Sequence, residues 1–314
     1  MGVSKQGDEG KTLQWSVYFQ NPAFLERTRM FLIMEELRPL VRAWCGLRDG
    51  MRILDVGCGT GYFSRLLAEG PEDVSVVGVD LEEPYIEYAR SQQGVGGHAC
   101  EFMVADAHAL PFEDNSFDLV ASHTFLTSAP EPDQVMDEML RVARPGALIA
   151  SVTAMNFMAH GYHLGFYPDD CAWVSEYRKM EQKFTLIYNA IDPLQSRVPG
   201  VATELVPHFF VEHGLERVSA YPLGKMFCLS NAAVSESDKL RWIDLCEQSE
   251  TMKLDAFSGL VQFWQHVSHE EVARYRELLR ERCAWLREHV NDNEAWDWQG
   301  GANILVCGTV PQSA

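Results

Sequence analysis

Between Arg52 and Val152 five short apolar runs alternate with stretches of helical periodicity, and this alternation constrains the fold more than any other feature of the chain. The runs are Arg52–Val56, Ser75–Asp80, Glu101–Asp106, Ser116–Ser122 and Ala147–Val152. Helical patterns cover Tyr62–Glu69, Glu83–Gln93 and Asp133–Arg144, closed by Gly70-Pro71, Gly94 and Pro145-Gly146, which are stop signals. Strands joined through helices of this length pair in parallel by right-handed crossovers. The pattern therefore predicts an α/β fold with a doubly wound, mostly parallel sheet, whose ligand sites lie at the carboxyl ends of the strands.

Either side of this core the pattern changes. Residues 1–12 read as a loose tail, and Trp15 to about Gly46 as helical, with Pro39 breaking it into two helices. After Val152, Met155–Asp170 reads as loop, Cys171–Asn189 and Thr203–His213 as helices, and Leu215–Leu229 as strand-like. Ser235–Val290 reads as three helices and Ala302–Val310 as a buried strand. The expected organisation is a helical cap (1–50), a core (51–154), an insertion (155–200), a core continuation (201–230), a helical insertion (231–299) and a final core strand (300–314).

Composition narrows the partners. With 45 acidic residues against 26 Lys plus Arg, the formal charge is −19. That field repels nucleic acid and anionic membranes. The richest basic stretch, Arg274 to Arg282, alternates with Glu270, Glu271, Glu277 and Glu281, and reads as a salt-bridged helix face. The eight cysteines form no C-x-x-C pair, which points to free thiols in a reducing cytoplasm rather than zinc or disulfides. Met1–Gly10 lacks the apolar stretch of a signal peptide, and no apolar run is long enough to span a bilayer.

Between the first strand and its helix runs Asp55-Val56-Gly57-Cys58-Gly59-Thr60-Gly61. Glycines there let backbone bend sharply and approach a ligand. A dinucleotide turn would read G-x-G-x-x-G, but here the third glycine comes one residue early. Asp80 ends the second run, where a carboxylate can accept ribose hydroxyls, and Asp106 ends the third, where one can accept from an exocyclic amine. Three carboxylates around one pocket oppose a pyrophosphate and suit a nucleoside with a cationic centre.

These residues carry a resemblance. From Arg52 to Asn156 the chain resembles the class I S-adenosylmethionine (SAM)-dependent methyltransferases, including the subgroup of ubiquinone- and menaquinone-biosynthesis methyltransferases. The matching segments are ILDVGCGTGYFSRLLA, VVGVDLEEPYIEYAR, FMVADAHALPFEDNSFDLV and MDEMLRVARPGALIA. VPHFFVEHGLERVSAYPL and GANILVCGTV resemble the family's closing helix and last two strands, so the resemblance implies a seven-stranded sheet of Rossmann-like type interrupted by two insertions. With the N-terminal helices, those insertions would form a lid over the acceptor.

The resemblance implies that Gly57, Gly59 and Gly61 flank the methionine part of SAM, with Asp55 ordering the turn and Cys58 a small residue within it. Asp80 would hold the ribose and Leu81 pack near the adenine, whose edge Asp106 and Ala107 would read. His123 would sit near the transferring methyl and Tyr18 close over the methionine end. His123, His160 and His163 are the candidate catalytic residues. His160 and His163 have an H-x-x-H spacing but no third ligand at a defined spacing, so no metal is expected.

The reaction so implied moves a methyl from SAM to an O, N or S atom of a small-molecule acceptor, leaving S-adenosylhomocysteine, in a cytoplasmic monomer or homodimer. After the fourth strand the chain reads Ser122-His123-Thr124-Phe125, without the Pro-Pro-aromatic segment of amino-methyltransferases, and no Pro-Cys occurs anywhere. Two alternatives stay open: an inactive SAM-binding sensor or scaffold, and an NAD-dependent oxidoreductase.

Overall fold

Strand β1 (Arg52–Val56) leaves only Arg52 exposed. It lies between β2 (Ser75–Asp80) and β4 (Phe117–His123), parallel to both, with Asp55 opposite Gly78 on one side and Ala121 on the other. β3 (Cys100–Val104) continues the sheet beyond β2, and β5 (Ala143–Ala154) beyond β4, again in parallel. Strands covered on both faces need apolar side chains on both, which is why the central ones read as unbroken apolar runs. The computed structural model describes residues 16, 21–30, 33, 35–92, 100–154, 163–166, 171–191, 200–229, 234–291 and 296–312.

Helices cover both faces. On one lie α1 (Pro22–Met30), α2 (Arg38–Trp44), α3 (Tyr62–Ala68) and α4 (Glu83–Ser91), over a core that includes Ile53, Phe63, Leu66, Ile86 and Ala121. On the other lie α5 (Pro132–Val142) and α7 (Val206–Glu212), over Leu54, Val120, Met136, Met139 and Phe210. Pro39 opens α2 rather than breaking a longer helix. A proline fits the first turn because its missing N–H has no partner there in any case.

The sheet is closed by a long antiparallel strand. β8 (Trp296–Thr309) pairs along one edge with β7 (Glu216–Cys228). Its other edge takes β5 at Asn303–Thr309 and β6 (His163–Phe166) at Trp296–Gln299. Among the described residues the sheet has eight strands, the seven expected and one more. The added strand, HLGF, falls in a stretch that reads as loop, because four residues without alternation carry no strand signal. It forms against the extension of β8, which begins six residues before the expected Ala302.

The two insertions fold together. α6 (Val174–Ile191) comes from the first; α8 (Glu236–Ser258) and α9 (His269–Glu288) come from the second. A 3₁₀ turn at Phe263–Gln265 stands where a third helix was expected. Ser268 and Glu271 form a reciprocal capping box that fixes the start of α9. Tyr177 and Phe184 of α6 share one core with Leu254, Phe263 and Tyr275, and Phe184 stacks on Tyr275 at 4.4 Å. Arg274 of α9 reaches Glu176 of α6 at 2.6 Å and also meets Glu277 and Glu281, so the alternating charges do form a salt-bridged face. The N-terminal helices take no part in this core; they lie on the sheet and across the glycine turn. Among the described residues no helix is long and apolar enough to cross a membrane.

Candidate functional site

The glycine turn leaves the buried end of β1, where Gly57, Gly59 and Gly61 hold φ of 68°, 52° and 78°. Only glycine adopts such angles freely. Backbone bonds pin the turn: Cys58 N–H donates to Val79 O at 2.9 Å and Gly61 N–H to Cys58 O at 2.9 Å. Close packing adds a second demand, since a Cβ on Gly57 would lie 2.3 Å from the Phe125 ring. Cys58 is buried, and burial first, then the charges of Asp80 and Asp55, push its thiol well up, so it is a packed turn residue and no nucleophile.

Two acids order this turn. Asp80 accepts from Gly59 N–H at 2.9 Å and from Glu82 N–H at 3.0 Å, one on each carboxylate oxygen. Burial pushes Asp80 up to about 6, against those backbone donors. Asp55 is fully buried and accepts from the Ser64 hydroxyl at 2.6 Å. Burial, opposed by Ser64 and reinforced by the charge of Asp80, pushes Asp55 up to about 7.

Five buried polar atoms without a hydrogen-bond partner gather around the same turn: Asp55 Oδ1, Thr60 Oγ1, His123 Nε2, Thr124 Oγ1 and Glu26 Oε2. Native proteins seldom bury such atoms without a reason, and here Asp55 and Thr60 flank the carboxyl end of β1 while His123 and Thr124 stand at that of the neighbouring β4. Thr124 adds strain, with φ of 53° in a β-branched residue. That is a costly conformation of a kind that clusters at functional sites. His123, at the end of β4, is 7 % exposed. Burial and then the charge of Arg29 hold its imidazole well below the usual range, so it is neutral at physiological pH. Acidic groups, an unsatisfied carboxyl and a glycine cradle fit a ligand that combines a nucleoside with cationic groups, the chemistry of SAM.

At the ends of β2 and β3 apolar surface is open. Leu81 is 54 % exposed and Val104 43 %, while Ala107 is buried. Asp106 stands beside them and is braced by a residue that the sequence reading passed over. His108 donates its backbone N–H (2.9 Å) and Nδ1 (2.7 Å) to Asp106 Oδ1, and its Nε2 lies 2.8 Å from Pro130 O. The His108 backbone donor, against partial burial and with help from the ring, lowers Asp106. Burial pulls the His108 imidazole down, but the Pro130 carbonyl and Asp106 outweigh it, so its pKa is raised. The protonated ring satisfies both acceptors.

A raised histidine and a lowered carboxylate stabilise the fold over one window. The Asp106 contribution is present above the ordinary carboxylate pKa and is lost as pH falls through its lowered value; that of His108 is full below about 6.5 and is lost as pH rises through its raised value. The pair is half-exposed, so its worth is under about 1 kcal/mol. In NMR titration His108 is expected to titrate above about 6.5 and to fall back toward that value in Asp106→Asn. An unmoved midpoint would show that the two do not interact.

The turn, Asp55, Asp80 and His123 lie at the neighbouring ends of β1, β2 and β4, with Leu81, Asp106 and Ala107 just past the ends of β2 and β3. Tyr18 and His160 lie outside the described residues. His163 opens β6 opposite Gln299, four positions along β8 from Asn303, which faces Ala154 at the end of β5. His123 is in register with Val152 and Leu305, six positions along β8 from Gln299, so His163 lies about 20 Å of strand beyond it. The expected N-terminal helix α1 also lies against the turn, although none of its residues is among the sequence candidates. Leu25 comes within 3.0 Å of where a Cβ on Gly59 would be, and Glu26 pairs with Arg65, which also donates to Thr60 O at 2.9 Å.

Comparison with known proteins agrees with this geometry. Residues 47–191 match the family described as "Methyltransferase domain". The chain is 39 % identical over 119 residues to a demethylmenaquinone methyltransferase of Clavibacter sepedonicus, covering 37 % of this chain and 47 % of that protein. It is 32 % identical over 121 residues to an uncharacterised protein of Mycobacterium tuberculosis, covering 38 % and 43 %. The chain thus spans about half the length of these curated relatives. In fold it is similar to a Haemonchus contortus phosphoethanolamine N-methyltransferase solved with SAM, with a TM-score of 0.50 at 17 % identity, covering 95 % of this chain and 59 % of that one. Residues 47–191 are thus similar to methyltransferase domains, carried on a Rossmann-like α/β sheet.

Proposed function

We propose that this protein transfers a methyl group from SAM to an O, N or S atom of a small-molecule acceptor. The observation that carries the reading is the convergence of unsatisfied buried polar atoms and acids on the glycine turn, inside the segment that matches the methyltransferase domain. SAM would supply an electrophilic methyl on a sulfonium. Asp80 holds the ribose while ordering the turn, Asp106 and Ala107 read the adenine edge, and Leu81 and Val104 offer it apolar surface. The net negative field suits a cationic nucleoside and works against both a dinucleotide pyrophosphate and a nucleic-acid acceptor.

His123 stays neutral because it is buried beside a cation. A base held that low is a poor store for a proton, but its free Nε2 can accept a hydrogen bond from an acceptor hydroxyl or amine and aim it. A His123→Ala enzyme with unaltered turnover would remove that role. His160 and His163, in the first insertion, belong in this reading with the cover over the acceptor. The net charge and free thiols fit a cytoplasmic monomer or homodimer without membrane attachment.

The deciding experiment incubates the protein with a small-metabolite extract and SAM carrying a deuterated methyl. Extract-dependent release of S-adenosylhomocysteine, with the label in one low-mass product, is expected and would identify the acceptor. SAM binding without any release would favour the sensor alternative, and binding of NAD in its place the oxidoreductase.

A further inference from the structure

The loop between β3 and β4 carries Asp106 and is tied to the α5 side at two places. At its far end Leu110 N–H donates to Glu138 at 2.7 Å, and Arg141 donates to Leu110 O at 2.9 Å and to Phe112 O at 2.8 Å. Arg141 holds Glu138 below the usual carboxylate range, so this tie keeps its charges through neutral pH. At the near end the tie runs through His108. Its Nε2 meets the Pro130 carbonyl, two residues before α5, and the Gln134 amide of α5 donates to His108 O at 3.1 Å. On the other side Nδ1 and the His108 N–H both bind a single oxygen of Asp106, Oδ1. Among the described residues no donor reaches Oδ2.

Both ring nitrogens of His108 therefore face acceptors. A neutral imidazole has one N–H and serves only one of them, so the ring bridges Asp106 and Pro130 only when doubly protonated. Against burial, the Pro130 carbonyl and the charges of Asp106 and Glu131 favour that form. Asp133, the next acid of α5, faces His213 of α7 at 3.3 Å. Resting on the SAM reading above, we propose that His108 is a positioning residue for the base: it pins Asp106 through Oδ1, leaving Oδ2 to act only as an acceptor, so that the site takes a 6-aminopurine nucleoside and rejects a 6-oxopurine. The amino group of the first brings an N–H to Oδ2. The second brings a carbonyl oxygen to the same place, and two acceptors repel. The far tie cannot do this work, because it grips backbone at Leu110 and Phe112 and leaves the Asp106 side chain to turn. The brace also titrates. It is complete while the ring is protonated, and one of its two acceptors is released as pH rises through the His108 midpoint.

The test compares S-adenosylhomocysteine with S-inosylhomocysteine, which differs only in carrying an oxygen for the amino group, by calorimetry on the full chain. Wild type is expected to prefer the adenine compound by about 100-fold. His108→Ala is expected to weaken S-adenosylhomocysteine by about fivefold and to leave the inosine compound within about twofold, so the preference shrinks. His108→Asn keeps one donor for Asp106 but neither reaches Pro130 nor titrates. It is expected to retain most of the preference, and it guards against a folding defect in the alanine variant. Taken relative to His108→Asn, wild-type affinity for S-adenosylhomocysteine is expected to fall between about pH 6 and about pH 9, by a few-fold. That ratio cancels the ionisation of Asp55 and Asp80, which both proteins share. By reciprocity, S-adenosylhomocysteine should raise the His108 midpoint in NMR titration and S-inosylhomocysteine should not. An alanine variant that keeps the full preference overturns the positioning role. So does one that loses both compounds equally, since His108 would then only support the loop. A wild-type chain that binds neither compound overturns the SAM reading itself, and this inference with it.

Discussion

Gly200→Ala is expected to destabilise the protein by about 3 kcal/mol, at the upper end of what overpacking costs. A Cβ on Gly200 would lie 2.1 Å from the carbonyl carbon of Thr127, 2.2 Å from its oxygen and 2.5 Å from the nitrogen of Ser128. These are backbone atoms, which cannot swing aside as a side chain can. The neighbouring Val201 N–H donates to Leu126 O at 3.0 Å, so the chain returning from the first insertion is docked along the loop after β4. That loop also carries Phe125, whose ring rests on Gly57. Pushing it outward should disturb the glycine turn as well, and activity should fall more than stability alone explains. Urea unfolding reads the first effect. Gly224→Ala is the control, because a Cβ there meets nothing within 4 Å, and it should stay within about 0.5 kcal/mol of wild type. Equal midpoints for the two variants would show that residue 200 is not docked.

Asp80→Ala is expected to weaken SAM binding by about 3 kcal/mol, more than a hundredfold. The substitution removes a charged acceptor for the ligand and at the same time the carboxylate that takes Gly59 N–H. Asp80→Asn, which keeps an oxygen for Gly59 but not the charge, should lose less. The pH dependence follows from burial. Asp80 and Asp55 are pushed up to about 6 and 7. A carboxyl raised in the fold contributes stability below its unfolded pKa and loses it as pH rises through its folded value. From pH 5 to 8 the ligand-free protein should therefore melt at falling temperatures, while its affinity for a cationic ligand rises as the carboxylates ionise. Calorimetry across that range checks both signs. An Asp80→Ala affinity within twofold of wild type would take Asp80 out of the site.

The parallel half of the sheet was legible because buried strands must be apolar on both faces, and β1, β2 and β4 state this in almost every residue. The acids at the strand ends were legible because charge is out of place beside such runs. What escaped has a physical reason in each case. β6 and the first half of β8 support one another and carry little apolar periodicity alone. Pro39 has one meaning in mid-helix and another in a first turn, and only the backbone tells which. His108 matters through the carbonyl of Pro130, 22 residues away, to which no local pattern points.

The placement of β8 governs how the chain can assemble. It pairs with β5, β6 and β7, and its partners in β5 lie roughly 150 residues earlier. Contacts that far apart form late, because a long loop must close before they repay the lost freedom. Until the segment Trp296–Thr309 arrives, β5 and β7 present open edges rich in unpaired backbone groups. Open edges of that kind recruit neighbouring chains. Refolding yield should therefore fall with protein concentration, and a synthetic peptide of residues 296–309 should compete with the chain's own last strand for the gap between β5 and β7.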